Sequence, residues 1–442
     1  GTSRARPRAT SANPLEGVRV LELAEIWAGP FCGTLLSDLG AEVTAVESIQ
    51  RTYRGEIRPG PGSAGYAEGE PGDRPWNRWA NFNSINRSKM GITLNLTSAK
   101  GADTFRELVG VSDVVLCNYA FGVMDSFGLG YDELRRIRPD LVMALMPGFG
   151  NTGPYKRYRS MGMTIDAITG HSALRGYPDL DLSWLTMVHH PDAVGGVTAL
   201  FAICAALTYR AKTGRGQFID MSQAEAFMPH LGEVFLEYGM TGRVRAPRGN
   251  EHPDMSPHGC YPCHGDDRWV TIAVRSQEEW LAFCQAAEMT SLARDSRFAT
   301  IEARLRNREE LDRLVGQWTS SRDRYDVTGL LQERGIPAAP VLDCGEDTYD
   351  DPHLQERGYF QEVTHPEAGT FPLSGPLWKL DGASERTQRP APCLGQHNGY
   401  VLGQVLGIPR PRIEALEREL VIGTAPLEGA DMGGVRRVER GL

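Results

Sequence analysis

What the chain lacks first is an excess of basic charge. Against 56 Asp+Glu it carries 47 Lys+Arg, a formal net charge of −9. Nucleic acid or an anionic membrane would want a basic face, so neither is expected as a partner. Long apolar runs are missing too: none approaches the roughly 18 residues that span a bilayer. Residues 1–13 are basic and polar with no apolar segment behind them, which predicts a disordered start and no secretory signal. The 8 cysteines are scattered, the pattern of reduced thiols in a cytoplasmic protein rather than of a disulfide framework. A disorder signature is also lacking, since 41% hydrophobic and 23% charged residues are globular proportions. At 442 residues the chain exceeds one ordinary core, and two domains are expected.

Short β-branched runs alternate with amphipathic stretches through the first half. Strands are predicted at 18–24 (VRVLELA), 42–47 (EVTAVE), 92–96 (ITLNL), 113–119 (DVVLCNY), 141–146 (LVMALM) and 218–221. Helices are predicted from Gly29 to Leu39, over 99–108 and 131–137, over 192–212 with a stop at Thr213-Gly214, and over 222–238. Strands alternating with helices predict crossover units and a parallel sheet. Residues 241–262 are rich in Gly, Pro, His and Asn and read as linker and loop. Beyond them a strand at 269–274, helices at 277–288, 308–319 and 327–334, and a strand at 337–342 predict a smaller α+β domain. Two helical segments broken at Pro409 follow, and a Gly-rich basic tail, 423–442, closes the chain.

Two motifs invite over-reading. Residues 148–153 (GFGNTG) match the dinucleotide-binding GxGxxG and follow a strand. Pro154 and a Tyr/Lys/Arg stretch come next, however, where a pyrophosphate would need a helix N-terminus. Residues 260–264 (CYPCH) match the haem-attachment CxxCH, but that chemistry requires export, and a second CxxC for structural zinc is lacking. No metal and no prosthetic group are expected.

The informative stretch is 184–196 (WLTMVHHPDAVGG). Pro191-Asp192 precedes an apolar helix, which places Asp192 at or near the N-cap. It then has two readings: a cap for orphan amides, or a functional carboxylate kept ionised by those amides and the helix dipole. In the second reading Gly195 and Gly196 let a ligand approach the backbone. The local pattern fits both.

Several ordered segments carry a wider resemblance: 15–23 (LEGVRVLEL), Ala28-Gly29-Pro30, 38–43 (DLGAEV), 148–154 (GFGNTGP), 210–217 (RAKTGRGQ), 335–340 (GIPAAP) and 394–397 (LGQH). From Pro14 to about Ile422 the chain resembles the family III CoA-transferases, the superfamily of formyl-CoA transferase, carnitine CoA-transferase and α-methylacyl-CoA racemase. The resemblance implies coenzyme A, as acyl-CoA, and a small carboxylic acid as substrates, and a homodimer of interlocked rings. It implies a Rossmann-like large domain (14–228, returning at 336–422) with a smaller α+β domain (229–335) inserted.

The family's catalytic aspartate falls at Asp192, with Trp27, Ala28, Gly195 and Gly196 around the substrate and its developing oxyanions. CoA contacts are implied for Glu25, Ile26, Lys89, Asn118 and Tyr119. Two of the family's basic positions are Ser48 and Ser126 here, so the phosphates are expected to lean on Arg51, Arg54 or Arg87. A polar glutamine of formyl-CoA transferase is replaced by Trp27, which makes oxalate an unsuitable acceptor. Residues 249–259 (GNEHPDMSPHG), with Gly249, Asn250, His252 and His258, replace that enzyme's glycine-rich lid. The racemase branch uses a second acid/base from a Gly-His-Asp motif. The matching region, 160–170, carries Met161 and no motif histidine, which favours transfer over racemisation.

Overall fold

The structure is a computed structural model and describes residues 13–55, 62, 65–186, 188–381 and 388–430. The expected disordered start, up to residue 12, and residues 431–442 of the expected mobile tail lie outside the described residues. The chain forms two compact units: one takes in residues up to Thr169, Met187–Phe235 and Glu356 onward, the other Gly170–Thr186 and Leu236–Gln355.

The larger unit is built on six parallel strands: β1 (Arg19–Leu23), β2 (Glu42–Glu47), β3 (Met90–Thr93), β4 (Val114–Cys117), β5 (Val142–Leu145) and β6 (Gln217–Asp220), in the order β3-β2-β1-β4-β5-β6. Successive side chains of β1 point to opposite faces. Leu21 and Leu23 join a core with Phe105, Leu108, Leu402 and Leu416, while Val20 joins one with Leu35, Leu36, Leu200 and Ile203. Apolar side chains cover both faces, as a parallel sheet requires.

The helices that position the site are α1 (Ala28–Asp38), α2 (Ala99–Gly110), α3 (Gly162–Ile168), α4 (His190–Thr213) and α5 (Gln223–Phe227). Helix α4 ends where Gly214 takes φ 73° and its N–H donates to the Arg210 carbonyl at 2.8 Å, a left-handed cap that favours glycine. The expected helix over 222–238 is three pieces, because Pro229 cannot continue a ladder and the chain tightens to a 3₁₀ turn over Met228–Leu231.

One expectation is corrected by α4. Among the described residues it alone is long and apolar enough to cross a membrane, with a mean hydropathy of 1.5 in a window that is 44% buried. Its inner residues Ala199, Leu200, Ile203, Ala206 and Leu207 instead close over the sheet.

The C-terminal segment returns along β3: the His397 N–H donates to the Gly91 carbonyl at 2.9 Å and the Thr93 N–H to Asn398 Oδ1 at 2.9 Å. The start of the expected mobile tail is anchored as well. Gly423 N–H donates to Thr93 Oγ1 at 2.9 Å and Leu427 N–H to the Ile49 carbonyl at 2.9 Å.

The smaller unit holds an antiparallel sheet of β7 (His258–Pro262), β8 (Trp269–Ala273) and β9 (Ala338–Val341), with its core around Trp280, Phe283, Phe298 and Trp318. Pairing of β9 with β8 carries the stretch after residue 335 into this unit. Buried Arg304 crosses that core, donating to the Ser256 carbonyl at 2.8 Å and lying 4.9 Å from the Trp280 ring centroid.

Candidate active site

Ligands of open α/β sheets bind beyond the carboxyl ends of the strands. There the loop after β1 meets the loop after β4. Asn118 clamps the first: Glu25 N–H donates to its Oδ1 at 3.0 Å, and its Nδ2 donates to the Glu25 carbonyl at 2.7 Å. Ile26 is held at φ 70°, a region a β-branched residue enters only when its surroundings force it, at about 1–3 kcal/mol. Glu25 pairs with half-exposed Arg51 at 2.9 Å. Burial and the Glu25 charge push the Tyr119 phenol well up, while Arg51 opposes them. Glu25, Ile26, Arg51, Asn118 and Tyr119 are thus neighbours.

Trp27, just before α1, is half-buried and tilts against Phe31, with ring centroids 4.7 Å apart. Phe31 and the Ala28 carbonyl in turn abut α4. A Cβ on Gly196 would lie 2.9 Å from the Phe31 ring and 3.0 Å from that carbonyl. Gly195 faces the Gln223 side chain, its would-be Cβ 3.3 Å away. Both glycines lie where α4 packs closely on its neighbours, Gly196 on α1 and Gly195 on α5.

Asp192 is on the same α4 face as Gly196, one turn earlier, so the start of α1 and the aspartate are brought to one place. The N-cap is His189, and Asp192 is the third residue of the helix, not its cap. Only 7% of its surface is exposed. Burial raises its pKa above the usual carboxylate value and the His189 charge lowers it. Among the described residues it has no ion-pair partner. Its Oδ2 lies 2.0 Å from where a Cβ on Gly162 would stand.

Lys89 is not part of this cluster. It is fully buried, donating to Glu22 Oε1 at 2.9 Å, the Pro30 carbonyl at 2.7 Å and Asn86 Oδ1 at 2.9 Å. All three donors of the ammonium are used, so the expected CoA contact is replaced by a structural role. Arg54 is equally buried, paired with Glu47 (Nε to Oε1 at 2.6 Å) and stacked 3.6 Å over Phe82. Arg87 is tied to Asp38 at 2.7 Å. Of the three arginines considered for the phosphates, Arg51 alone reaches solvent.

Other cations at this edge escaped the sequence reading. Lys156 Nζ and the Arg157 guanidinium lie 4.8 and 5.3 Å from the Phe121 ring centroid, beyond the end of β4. Exposed Tyr155 and Tyr158 stack at 4.6 Å beside them. Basic and aromatic residues interleaved in YKRYR, directly after GFGNTGP, were the available signal. No helix follows those glycines until Gly162.

The loop expected to replace the lid lies in the smaller unit and is tethered within it. Asn250 Nδ2 donates to the Tyr177 hydroxyl at 2.9 Å, Gly249 N–H to the Gly176 carbonyl at 2.9 Å, and the His252 and His258 rings are 5.2 Å apart. His258 Nδ1 is 2.6 Å from the Asn250 carbonyl.

The larger unit is a parallel α/β sheet, and at the carboxyl ends of its strands the chain brings together Glu25, Ile26, Arg51, Asn118 and Tyr119. The chain belongs to CoA-transferase family III, which it matches over residues 15–398. It is 31% identical to succinyl-CoA–D-citramalate CoA-transferase of Chloroflexus aurantiacus, over 92% of this chain and 98% of that one. To succinyl-CoA:glutarate CoA-transferase of Mus musculus it is 30% identical, over 94% and 92% of the two chains. A crystal structure of a CAIB/BAIF family protein from Brucella suis superposes with a TM-score of 0.77 at 30% identity, covering 92% of this chain and 99% of that one. The protein is a CoA-transferase, an enzyme of CoA thioesters.

Proposed function

We propose that this enzyme moves CoA from an acyl-CoA to a carboxylic acid with Asp192 as its covalent nucleophile. The observation that carries the reading is the state of that side chain: buried, without an ion pair, and close to the β1 loop through the packing of α4 on α1. In the first step a carboxylate oxygen of Asp192 attacks the thioester carbonyl, forming an acyl–aspartyl anhydride and expelling CoA thiolate. The thiolate attacks the aspartyl carbonyl, giving an aspartyl-CoA thioester and releasing the donor acid. The acceptor carboxylate then repeats the two steps in reverse. Each exchange trades one carboxylate for another, so no nucleotide hydrolysis is required, and covalent catalysis divides a difficult step into easier ones. Arg51, Lys156 and Arg157 are the cations we assign to the CoA phosphates, with Asn118 holding the loop of Glu25 and Ile26 in place.

To test this, enzyme incubated with acyl-CoA alone is digested and its peptides are weighed. A CoA adduct on the peptide carrying Asp192 is expected; an adduct confined to another carboxylate would overturn the assignment.

Both named relatives are named for succinyl-CoA, whose free carboxylate Trp27 cannot pair, so succinyl-CoA is the donor against which an apolar acyl-CoA is compared. Trp27 on Phe31 offers the acyl group aromatic surface and no counter-charge. Trp27→Gln is expected to lower kcat/KM for an apolar acyl-CoA about tenfold, the scale of a lost apolar contact, with little change in Tm. A large fall in Tm with normal kinetics in the folded fraction would make Trp27 a packing residue only.

We further propose a homodimer. On α4 Val197 and Phe201, one turn apart on the same face, are exposed, Phe201 by 75%, and exposed apolar side chains side by side on a helix suit an interface. Eight free thiols fit a cytoplasmic, reducing setting.

A further inference from the structure

We propose that Gly162 is a positioning residue for the transfer reaction, the surface against which the Asp192 carboxylate is set. The inference rests on Asp192 being the nucleophile. Gly162 is buried, opens helix α3, and is not among the residues with positive φ. Its backbone would therefore suit any L-residue, and turn geometry does not explain the glycine. Space does. A Cβ there would stand 2.0 Å from Asp192 Oδ2, 3.2 Å from Asp192 Cγ and 3.5 Å from His189 Cδ2. Real Cβ atoms do not approach an oxygen at 2.0 Å, so a methyl group at this point must drive the carboxylate away.

The surroundings hold the α3 end of the contact firmly. Met161 N–H donates to Thr164 Oγ1 at 2.8 Å, and that hydroxyl donates back to the Met161 carbonyl at 2.8 Å. Thr164 thereby brackets the residue before Gly162. On the other side Ser160 fills the space beside Gly148, its Oγ 1.8 Å from where a Cβ on that glycine would stand. Between these two fixtures the backbone at 162 has little freedom to retreat. The carboxylate is the part that moves, since χ1 and χ2 of Asp192 are soft by comparison.

Displacing a nucleophile by about 1 Å costs on the order of 10²-fold in rate without a matching loss of binding. Gly162→Ala is accordingly expected to lower kcat by about 10²-fold while KM for acyl-CoA stays within about threefold. In rapid quench, the CoA adduct on Asp192 should form more slowly by the same factor. A purely structural role would not produce that division between kcat and KM. Stability supplies a second signature. Ala for Gly at a compatible helical position ordinarily stabilises, so Gly162→Ala should raise Tm in an Asp192→Ala background, where the clash is gone, and fail to raise it in wild type.

Unchanged kcat in folded Gly162→Ala, with Asp192→Asn inactive, overturns the positioning role alone. Activity retained by Asp192→Asn overturns the nucleophile assignment itself. If Gly162→Ala does not fold, Thr164→Val loosens the same surface. A several-fold fall in its kcat at unchanged KM supports the proposal, and wild-type kcat overturns it.

Discussion

Asp192→Asn is expected to fold like wild type and to lose transfer by a factor on the order of 10⁴ or more, the scale on which removal of a covalent nucleophile is felt. The amide has nearly the shape of the carboxylate, and Asp192 neither caps α4 nor forms an ion pair, so little stability is at stake. Circular dichroism and thermal melting check the fold, and CoA exchange between two acids checks the chemistry. A variant retaining a substantial fraction of activity would remove Asp192 from the mechanism. The wild-type pH profile should agree with this role. Burial has raised the Asp192 pKa and His189 holds it down, so kcat/KM should fall on the acid side, through a value above the ordinary carboxylate range. With His189→Gln that acid limb should move to higher pH, because the charge opposing desolvation is gone.

Lys89→Met should act on stability instead of on CoA binding. Removing one partner of a buried ion pair leaves the other charge uncompensated, at about 3–5 kcal/mol. The Glu22 carboxyl is already pushed up from 4.5 to about 7, by burial first, with Lys89 pulling it down; burial likewise lowers the Lys89 pKa. A carboxyl whose folded pKa is raised contributes stability that is present below its unfolded pKa and lost as pH rises through about 7. Without Lys89 this loss deepens, so the deficit of Lys89→Met relative to wild type should be largest near pH 8. It should shrink toward pH 5, where Glu22 takes up a proton. Urea unfolding at the two pH values measures it. A variant of normal stability with a raised KM for acyl-CoA would instead return Lys89 to the CoA site.

The sheet was legible because most of its strands are short β-branched or apolar runs set between turn signals. Their limits moved by a few residues: the third was expected at 92–96 and spans Met90–Thr93, since its pairing with β2 begins at Met90. Helix α4 was visible from its apolar pattern and the Gly214 stop, and the aspartate from its place before that helix. Fine position was not legible. Whether Asp192 caps the helix or is buried in its first turn depends on where the ladder starts, which Pro191 alone does not fix.

The linear order of residues was enough to determine an α/β protein and its family, because periodicity, turn chemistry and ordered motifs are local properties of the chain; the candidate nucleophile came only with the resemblance to that family. Only the tertiary structure decided what each charged or small side chain is for. Lys89 meets Glu22 across 67 positions, Arg54 reaches the Pro392 carbonyl across 338, and Gly196 meets Phe31 through the crossing of two helices. A cation resembles a phosphate ligand in sequence until its partner is known. Those partners are set by the folding of distant segments onto one another, and local pattern carries no record of them.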